Sequence, residues 1–117
     1  MSFIARKVLT GKISSYFPTN PGPLFGWGDN SSFQLGIGNN TDQSSPVQIG
    51  SLSWSQISAG NNHTIGIRSD GLLFAWGYNA QGQLGTGDVV NYSSPVQIGS
   101  LSWNAVSGKF NTSLAIE

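Results

Sequence analysis

The 117-residue sequence contains no cysteine and very little charge. Without cysteine there is no disulfide framework, no thiolate metal ligand and no thiol nucleophile. Lysine, arginine, aspartate and glutamate together make up 9% of the residues, and the formal net charge at pH 7 is zero. Nucleic-acid binding depends largely on cationic side chains that neutralise phosphates, so we expect no nucleic-acid partner.

Long apolar runs and helical periodicity are also missing. No apolar run reaches the roughly 20 residues of a membrane-spanning helix, so we expect no membrane insertion. No window shows the i, i+3, i+4, i+7 apolar spacing of an amphipathic helix. The polar surface must come from Asn, Ser, Thr, Gln and Gly, which is more common on virion or secreted proteins than in the cytosol. The localisation stays unknown, with a lean towards a virion or extracellular protein.

The sequence does contain an internal repeat. The eleven residues Ser-Ser-Pro-Val-Gln-Ile-Gly-Ser-Leu-Ser-Trp begin at Ser44 and again at Ser93, 49 residues apart. Trp27 and Trp76 have the same separation. A fixed period near 50 residues is typical of repeat architectures, in which each unit buries its apolar face against its neighbours. We therefore divide the chain into a leader with a proline-rich linker (1–23), a first repeat (24–71) and a second repeat (72–117).

Each repeat predicts four short strands bounded by turn residues, so the expected fold class is all-β. The strands are predicted at 24–28, 46–49, 54–58 and 64–68, and at 73–77, 95–98, 103–107 and 113–117. The glycine-rich stretches within the repeats predict loops. Leu35 and Leu84 are apolar residues inside those loops, and we expect them to plug the loops onto the sheets.

Large aromatic residues recur at matching positions of the two repeats. Phe74 and Trp76 share one face of their strand, because alternate residues of a strand point the same way. Six aromatic side chains are expected to pack between the units: Phe25, Trp27, Trp54, Phe74, Trp76 and Trp103. In the leader, the candidates for anchoring the module to a larger body are Phe3, Ile4, Val8 and Leu9.

Residue types that carry catalysis or bind metals are sparse. His63 is the only histidine, and we expect it to make a structural hydrogen bond. One histidine without cysteine does not make a metal site. The five acids form no close pair for acid–base catalysis, and the short glycine runs lack the helix of a phosphate-binding loop. We therefore expect no catalytic residue, no metal and no cofactor, and hence no enzyme.

Residues 73–88 read Leu-Phe-Ala-Trp-Gly-Tyr-Asn-Ala-Gln-Gly-Gln-Leu-Gly-Thr-Gly-Asp and are followed by Pro95-Val-Gln and Trp103. This pattern resembles the repeat of the regulator of chromosome condensation (RCC1-like) family. The first repeat carries the matching Phe25-Gly-Trp-Gly-Asp-Asn and Gln34-Leu-Gly-Ile-Gly. The resemblance covers roughly residues 24–117. It implies two four-stranded antiparallel propeller-type blades, which make a partial β-propeller behind an extended N-terminal leader.

Two blades do not close a ring, since propellers have about four to eight. Three arrangements stay open: a fragment of a longer protein, a ring of identical copies, or two blades held by a different partner. In each, exposed strand edges and bare apolar faces must be covered. The expected partners are therefore other protein chains, in a homo-oligomer or a larger assembly. A glycan or a receptor at the blade loops is a further open possibility.

The expected function is that of a non-catalytic propeller-repeat module for protein–protein assembly or display. The low charge and the Asn/Ser/Gly-rich surface favour a structural component of a phage or other virion, such as a tail, fibre or capsid-surface protein. The alternative is a fragment of an intracellular RCC1-like scaffold or guanine nucleotide exchange factor, which is the activity that the resemblance implies. Few charged residues are available to engage a GTPase.

Overall fold

The computed structural model describes residues 21–117 and the backbone of the strand Val8–Leu9. The regular structure of these residues is all β, as predicted, and includes no helix that could cross a membrane. The strands are β1 (Val8–Leu9), β2 (Phe25–Gly28), β3 (Gln43–Gln48), β4 (Trp54–Ala59), β5 (His63–Arg68), β6 (Leu73–Gly77), β7 (Tyr92–Gln97), β8 (Ala105–Lys109) and β9 (Thr112–Ile116).

The strands form three sheets. The first has the order β1-β2-β3, the middle sheet has the order β4-β5-β6-β7, and the third pairs β8 with β9. Neighbouring strands are antiparallel except β1 and β2, which are parallel, with Val8 opposite Phe25. The pairs β2–β3 and β6–β7 share one register, since Phe25 faces Gln48 and Phe74 faces Gln97. The pairs β4–β5 and β8–β9 also share one register, since Ile57 faces Gly66 and Val106 faces Ala115. The first and third sheets therefore resemble the two halves of the middle sheet.

The middle sheet crosses the boundary between the two sequence repeats. Its strands β4 and β5 come from residues 24–71, and β6 and β7 come from residues 72–117. The sequence predicted a four-stranded sheet inside each repeat, and the structure differs. The cause is the tight turn at 69–71, where Gly71 has a φ of +91° and donates its N–H to the carbonyl of Arg68. That turn makes β5 and β6 adjacent strands of one hairpin. Whether 24–71 and 72–117 behave as separate domains stays a prediction.

Alternation along its strands gives the middle sheet two apolar faces. Phe74 and Trp76 lie on the face towards the first sheet, in a cluster with Leu24, Ile49, Trp54, Ile57 and Ala59. Leu73 and Ala75 lie on the other face, in a cluster with Ile65, Ile67, Leu84 and Val106. The core therefore consists of two layers between stacked sheets, as expected for propeller-type blades.

Two equivalent loops, from β2 to β3 and from β6 to β7, are each organised by a buried asparagine. Asn79 accepts the N–H of Leu84 at 2.9 Å and donates to the carbonyls of Asp88 at 3.1 Å and Val90 at 2.9 Å. Asn30 makes the corresponding bonds in the first loop. Leu35 and Leu84 are buried, so both leucines do plug their loops.

Candidate protein-interaction site

Three of the six predicted aromatic residues meet between the first and middle sheets. The ring of Trp54 lies 5.6 Å from that of Phe74, edge to face, and 5.4 Å from that of Trp76. Trp54 reaches across Gly66 of β5, where a Cβ would stand 3.0 Å from the indole and 2.6 Å from Ile57. The sequence analysis missed Gly66, whose small size lets side chains of β4 and β6 meet over β5.

The other predicted aromatic residues are less enclosed. Trp103 is partly buried against the second apolar cluster. Its backbone N–H donates to the carbonyl of Gly71 at 3.0 Å, as that of Trp54 does to Gly22 at 2.9 Å. Phe25 and Trp27 are half-buried, and their packing between sheets stays a prediction.

The leader candidates are described only in part. Val8 and Leu9 form β1, which pairs with β2. Phe3 and Ile4 lie outside the described residues. An anchoring role for these four residues therefore stays a prediction.

Trp76 joins the middle sheet to the loop of the first sheet. Its indole Nε1–H donates to the carbonyl oxygen of Gln34 at 2.9 Å, and the hydroxyl of Thr64 donates to the same oxygen at 2.8 Å. Gly36, at a φ of +72°, lies under the ring, where a Cβ would stand 2.6 Å from Nε1. We call this arrangement of a carbonyl, a glycine and a hydroxyl a tryptophan socket.

A second set of socket residues lies 49 positions further along the chain. Gln83, Gly85 and Ser113 correspond to the carbonyl, the glycine and the hydroxyl of the first socket. They line a cavity of about 380 Å³ between the loop 81–85 and β9. Gly85 has a φ of +73°, and a Cβ there would meet only Ile98, at 3.7 Å. The position that an indole fills in the first socket is therefore open in the second.

Beside this cavity, the outer edge of β9 has no strand partner within the described residues. Leu114 and Ile116 are 68% and 67% exposed. Their counterparts in β5, Ile65 and Ile67, are 3% and 2% exposed. The difference follows from stacking, because Ile65 and Ile67 pack against Val106 of the third sheet. Leu114 and Ile116 alternate with Ala115, which packs towards the middle sheet, so they lie on the opposite face of β9, where no described sheet covers them. We call Leu114, Ile116 and the adjoining cavity the β9 surface.

His63 lies buried between the middle and third sheets, with its Nε2 2.8 Å from the hydroxyl of Ser113. Burial lowers the pKa of His63 to about 4, against a smaller opposite contribution from the backbone of Thr112. Gly60 makes room for the ring, since a Cβ there would overlap Cε1 of the imidazole. The imidazole is therefore neutral at pH 7 and makes the kind of structural hydrogen bond that the sequence predicted.

The aspartates are bonded within their own loops and turns. Asp88 accepts hydrogen bonds from the hydroxyls of Thr86 at 2.7 Å and Tyr92 at 2.8 Å, and these lower its pKa. Asp70 is paired with Arg68 at 2.6 Å in the turn between β5 and β6, and this contact lowers the pKa of Asp70. Among the described residues, no three His, Asp or Glu side chains gather as a metal-binding group. The β9 surface, with two exposed apolar side chains beside a cavity, is the candidate interaction site.

The sequence pattern described as the regulator of chromosome condensation (RCC1) repeat matches residues 21–67 and 70–108. A second pattern of the same description matches residues 54–83. The X-linked retinitis pigmentosa GTPase regulator homolog of Caenorhabditis elegans is 41% identical over 67 residues, which are 55% of this chain and 5% of that protein. The ultraviolet-B receptor UVR8 of Arabidopsis thaliana is 44% identical over 52 residues, which are 42% of this chain and 12% of that protein.

Solved structures show the same fold. Human WBSCR16 superposes with a TM-score of 0.67 at 26% identity, covering 76% of this chain and 25% of that one. Yeast RCC1 (Prp20), in its structure with bound Kap60, superposes with a TM-score of 0.65 at 24% identity, covering 75% of this chain and 22% of that one. The chain thus spans a quarter or less of the length of each of these four relatives.

Proposed function

Because the chain belongs to the regulator of chromosome condensation (RCC1) repeat family, we propose that it is a non-catalytic propeller-repeat module that assembles with other protein chains. The observation that carries this proposal is the exposure of Leu114 and Ile116, at 68% and 67%, on the unpaired edge of β9. An unpaired edge offers backbone N–H and C=O groups to a further strand. A partner strand would satisfy these groups, as occurs when an extended segment is added to a sheet. A partner surface stacked on the same face would cover both apolar side chains, as the third sheet covers Ile65 and Ile67.

The chemistry of the described residues supports a protein partner over a small substrate. The β9 surface has no charged side chain: Leu114 and Ile116 are apolar, and the cavity is lined by apolar and uncharged polar residues. By contrast, His63 is buried and neutral and Asp88 is bonded within its own loop. One of the solved relatives, yeast RCC1, was itself crystallised with another protein, Kap60. An interface built from an apolar surface and backbone hydrogen bonds also needs few charged residues, which agrees with the composition.

The mass of the native assembly tests this function. The chain would be isolated under gentle conditions from its own cells and sized beside the double variant Leu114→Lys/Ile116→Lys. We expect the natural protein in a species well above the mass of its own polypeptide, which is measured under denaturing conditions, and we expect the variant to shift towards that mass. The matched control is Val89→Lys/Val90→Lys, which alters two residues that are 65% and 59% exposed in the loop before β7. A natural protein that migrates as a folded monomer, at the mass of its own polypeptide, would refute the proposal.

Display on a virion is a narrower form of the same function. Its support is compositional, namely the 9% charge content and the Asn/Ser/Gly-rich surface. Mass spectrometry of purified particles tests it: the chain should be present in a fixed number of copies per particle. If the chain were absent from purified particles, the virion role would be refuted, whereas the proposal of assembly with other protein chains would still stand.

A fragment of an RCC1-like scaffold or exchange factor is the second candidate. Its support is the likeness to a protein described as a GTPase regulator homolog, at 41% identity over 67 residues. Release of labelled guanine nucleotide from small GTPases would measure this activity. Stimulated release that a substitution on the β9 surface abolishes would favour exchange over a purely structural module.

A further inference from the structure

We propose that the cavity beside β9 is a second tryptophan socket, and that its occupant is Trp27 of a second copy of this chain. The inference rests on the proposed function and names the partner of the β9 surface. Trp27 is the residue of the first repeat that corresponds to Trp76, 49 positions later. It is half-buried within its own chain, whereas Trp76 is fully buried in the first socket.

The second socket offers the same groups as the first. Trp76 lies over Gly36 and donates Nε1–H to the carbonyl of Gln34, which also accepts the Thr64 hydroxyl. Gly85 has the same positive φ as Gly36, +73° against +72°, so the two loops present their backbone alike. The indole of an incoming tryptophan would lie over Gly85 and donate to the carbonyl of Gln83.

The hydroxyl of Ser113 completes the second socket. It replaces that of Thr64 and already lies 2.8 Å from Nε2 of His63. A hydroxyl that accepts a hydrogen bond from the imidazole still has its own hydrogen to donate. Ser113 can therefore support the Gln83 carbonyl as Thr64 supports that of Gln34.

The strand register agrees with this placement. In the middle sheet, Thr64 of β5 faces Trp76 of β6, and Gly66 faces Phe74. The same register between β9 and β2 of a second copy places Ser113 opposite the second copy's Trp27. The indole is thereby brought to the socket by main-chain pairing alone.

The two ends of the described fold are complementary halves of one sheet. The pair β8–β9 corresponds to β4–β5, and the pair β2–β3 corresponds to β6–β7. Joining β8–β9 of one copy to β2–β3 of another would reproduce the four-stranded middle sheet. Such an interface is head-to-tail, since each copy contributes a different surface, and it extends into rings or chains of copies.

Strand β1 competes for the same edge. It pairs with β2 in parallel, with Val8 opposite Phe25 and Leu9 opposite Gly26. That edge is the one that an incoming β9 would use, because β5 occupies it on β6. Association therefore requires β1 to leave β2, so weakening β1 strengthens self-association.

Sedimentation of the purified 117-residue chain tests the first step. We expect species at multiples of 12.4 kDa that dissociate on dilution. Leu114→Lys and Trp27→Leu should each weaken association by about tenfold or more, which corresponds to roughly 1.4 kcal/mol. Val90→Lys, at an equally exposed apolar residue away from β9, should leave it unchanged. Prolines at both Val8 and Leu9 should strengthen it, because proline cannot donate to a strand ladder.

Mixing the two weakened variants tests the head-to-tail geometry. The Leu114→Lys chain keeps Trp27, and the Trp27→Leu chain keeps its socket, so the mixture should form a one-to-one dimer and no larger species. Trp27→Phe, which removes only the indole N–H, gives a second variant should Trp27→Leu fail to fold. It should also associate less tightly than the natural chain, and it replaces Trp27→Leu in the mixture.

Three results would overturn the inference. They are a natural chain that stays monomeric at every concentration, association that neither substitution weakens, and a mixture that remains monomeric. The first, found together with a native assembly larger than the natural polypeptide itself, would refute the second copy as the partner and leave the proposed assembly function standing.

Discussion

Gly36 lies directly beneath the indole of Trp76, whereas Gly85, at the same position of the next repeat, has only Ile98 nearby. A Cβ at position 36 would stand 2.6 Å from Trp76 Nε1, and one at position 85 would stand 3.7 Å from Ile98. Both glycines have a left-handed backbone, with φ of +72° and +73°. A residue with a side chain would therefore be equally strained at both positions, but only at position 36 would it also contact an indole.

Alanine at each position separates strain from contact. A left-handed alanine costs roughly 1–2 kcal/mol, and we expect this loss in Gly36→Ala and Gly85→Ala alike. Gly36→Ala should lose about 1–3 kcal/mol more, because its methyl group overlaps the indole. Urea unfolding below the concentration of self-association measures both losses. If the two variants lost the same free energy of unfolding, the indole of Trp76 would be able to move away from a methyl group at position 36 without cost.

The shared acceptor in the first socket predicts a coupled pair of substitutions. Trp76→Phe removes the indole donor and should cost about 1–2 kcal/mol, since the Gln34 carbonyl keeps the Thr64 hydroxyl. Thr64→Val should cost a similar amount. The double variant leaves the buried carbonyl without either donor, so its loss should exceed the sum of the single losses by roughly 1 kcal/mol. Strict additivity in chemical unfolding would argue against a shared acceptor.

The two loop asparagines that surround the β6–β7 turn should respond differently to aspartate. Asn79→Asp removes an amide that donates to the carbonyls of Asp88 and Val90, and it buries a carboxylate beside Asp88. We expect a loss of about 2–4 kcal/mol. Asn91→Asp should change stability by less than about 0.5 kcal/mol, because its side-chain oxygen only accepts from the N–H of Asn79, as Asp42 does from Asn30. Thermal unfolding of the two variants provides the comparison.

Burial of His63 predicts a pH dependence of stability. Its pKa falls from 6.5 when unfolded to about 4 when folded, so the unfolded chain binds the extra proton between these values. The free energy of unfolding should therefore decrease as the pH falls from about 6.5 to about 4, by at most about 3 kcal/mol. Unfolding free energies measured across this range test the slope. His63→Gln, which keeps a polar group near Ser113, should remove it.

Titration of the aspartates changes the free energy of unfolding at lower pH than titration of His63 does. Hydrogen bonds to Thr86 and Tyr92 lower the pKa of Asp88, and the contact with Arg68 lowers that of Asp70, both from 3.8. Their stabilising contributions are present above this value and are lost as the pH falls through the lowered pKa values. A stability slope between pH 6.5 and 4 that survives in His63→Gln would therefore contradict the assignment to His63.

The strands could be predicted from sequence more readily than their pairing. Phe74 and Trp76 share a face because alternation along a strand is local, and that expectation agrees with the first cluster. The pairing of β5 with β6 depends on the turn at 69–71, which lies at the predicted boundary between the two repeats. A Ser-Asp-Gly turn between apolar strands is also a hairpin signal. If this turn is interpreted as a hairpin, the sequence predicts that the four-stranded sheet crosses the repeat boundary.

The socket was harder to find from sequence. Its acceptor is the backbone carbonyl of Gln34, and no residue type marks a particular carbonyl as an acceptor. Gly36 was treated as one of several loop glycines. The signal that was present is the matched spacing of Gly36 with Gly85 and of Trp27 with Trp76. What that spacing could not show is that the tryptophan and the glycine of one socket come from different repeats.

The staggered pairing of the sheets has a consequence for how such genes grow. Removing or duplicating a coding segment for 49 residues leaves the same two kinds of strand pair at the junction. One pair is equivalent to β4–β5 and the other is equivalent to β6–β7. The two halves at the junction can then pair into a four-stranded sheet, as β4–β5 and β6–β7 do in the middle sheet. The number of repeats can therefore change through recombination without the need for new contacts between the sheets.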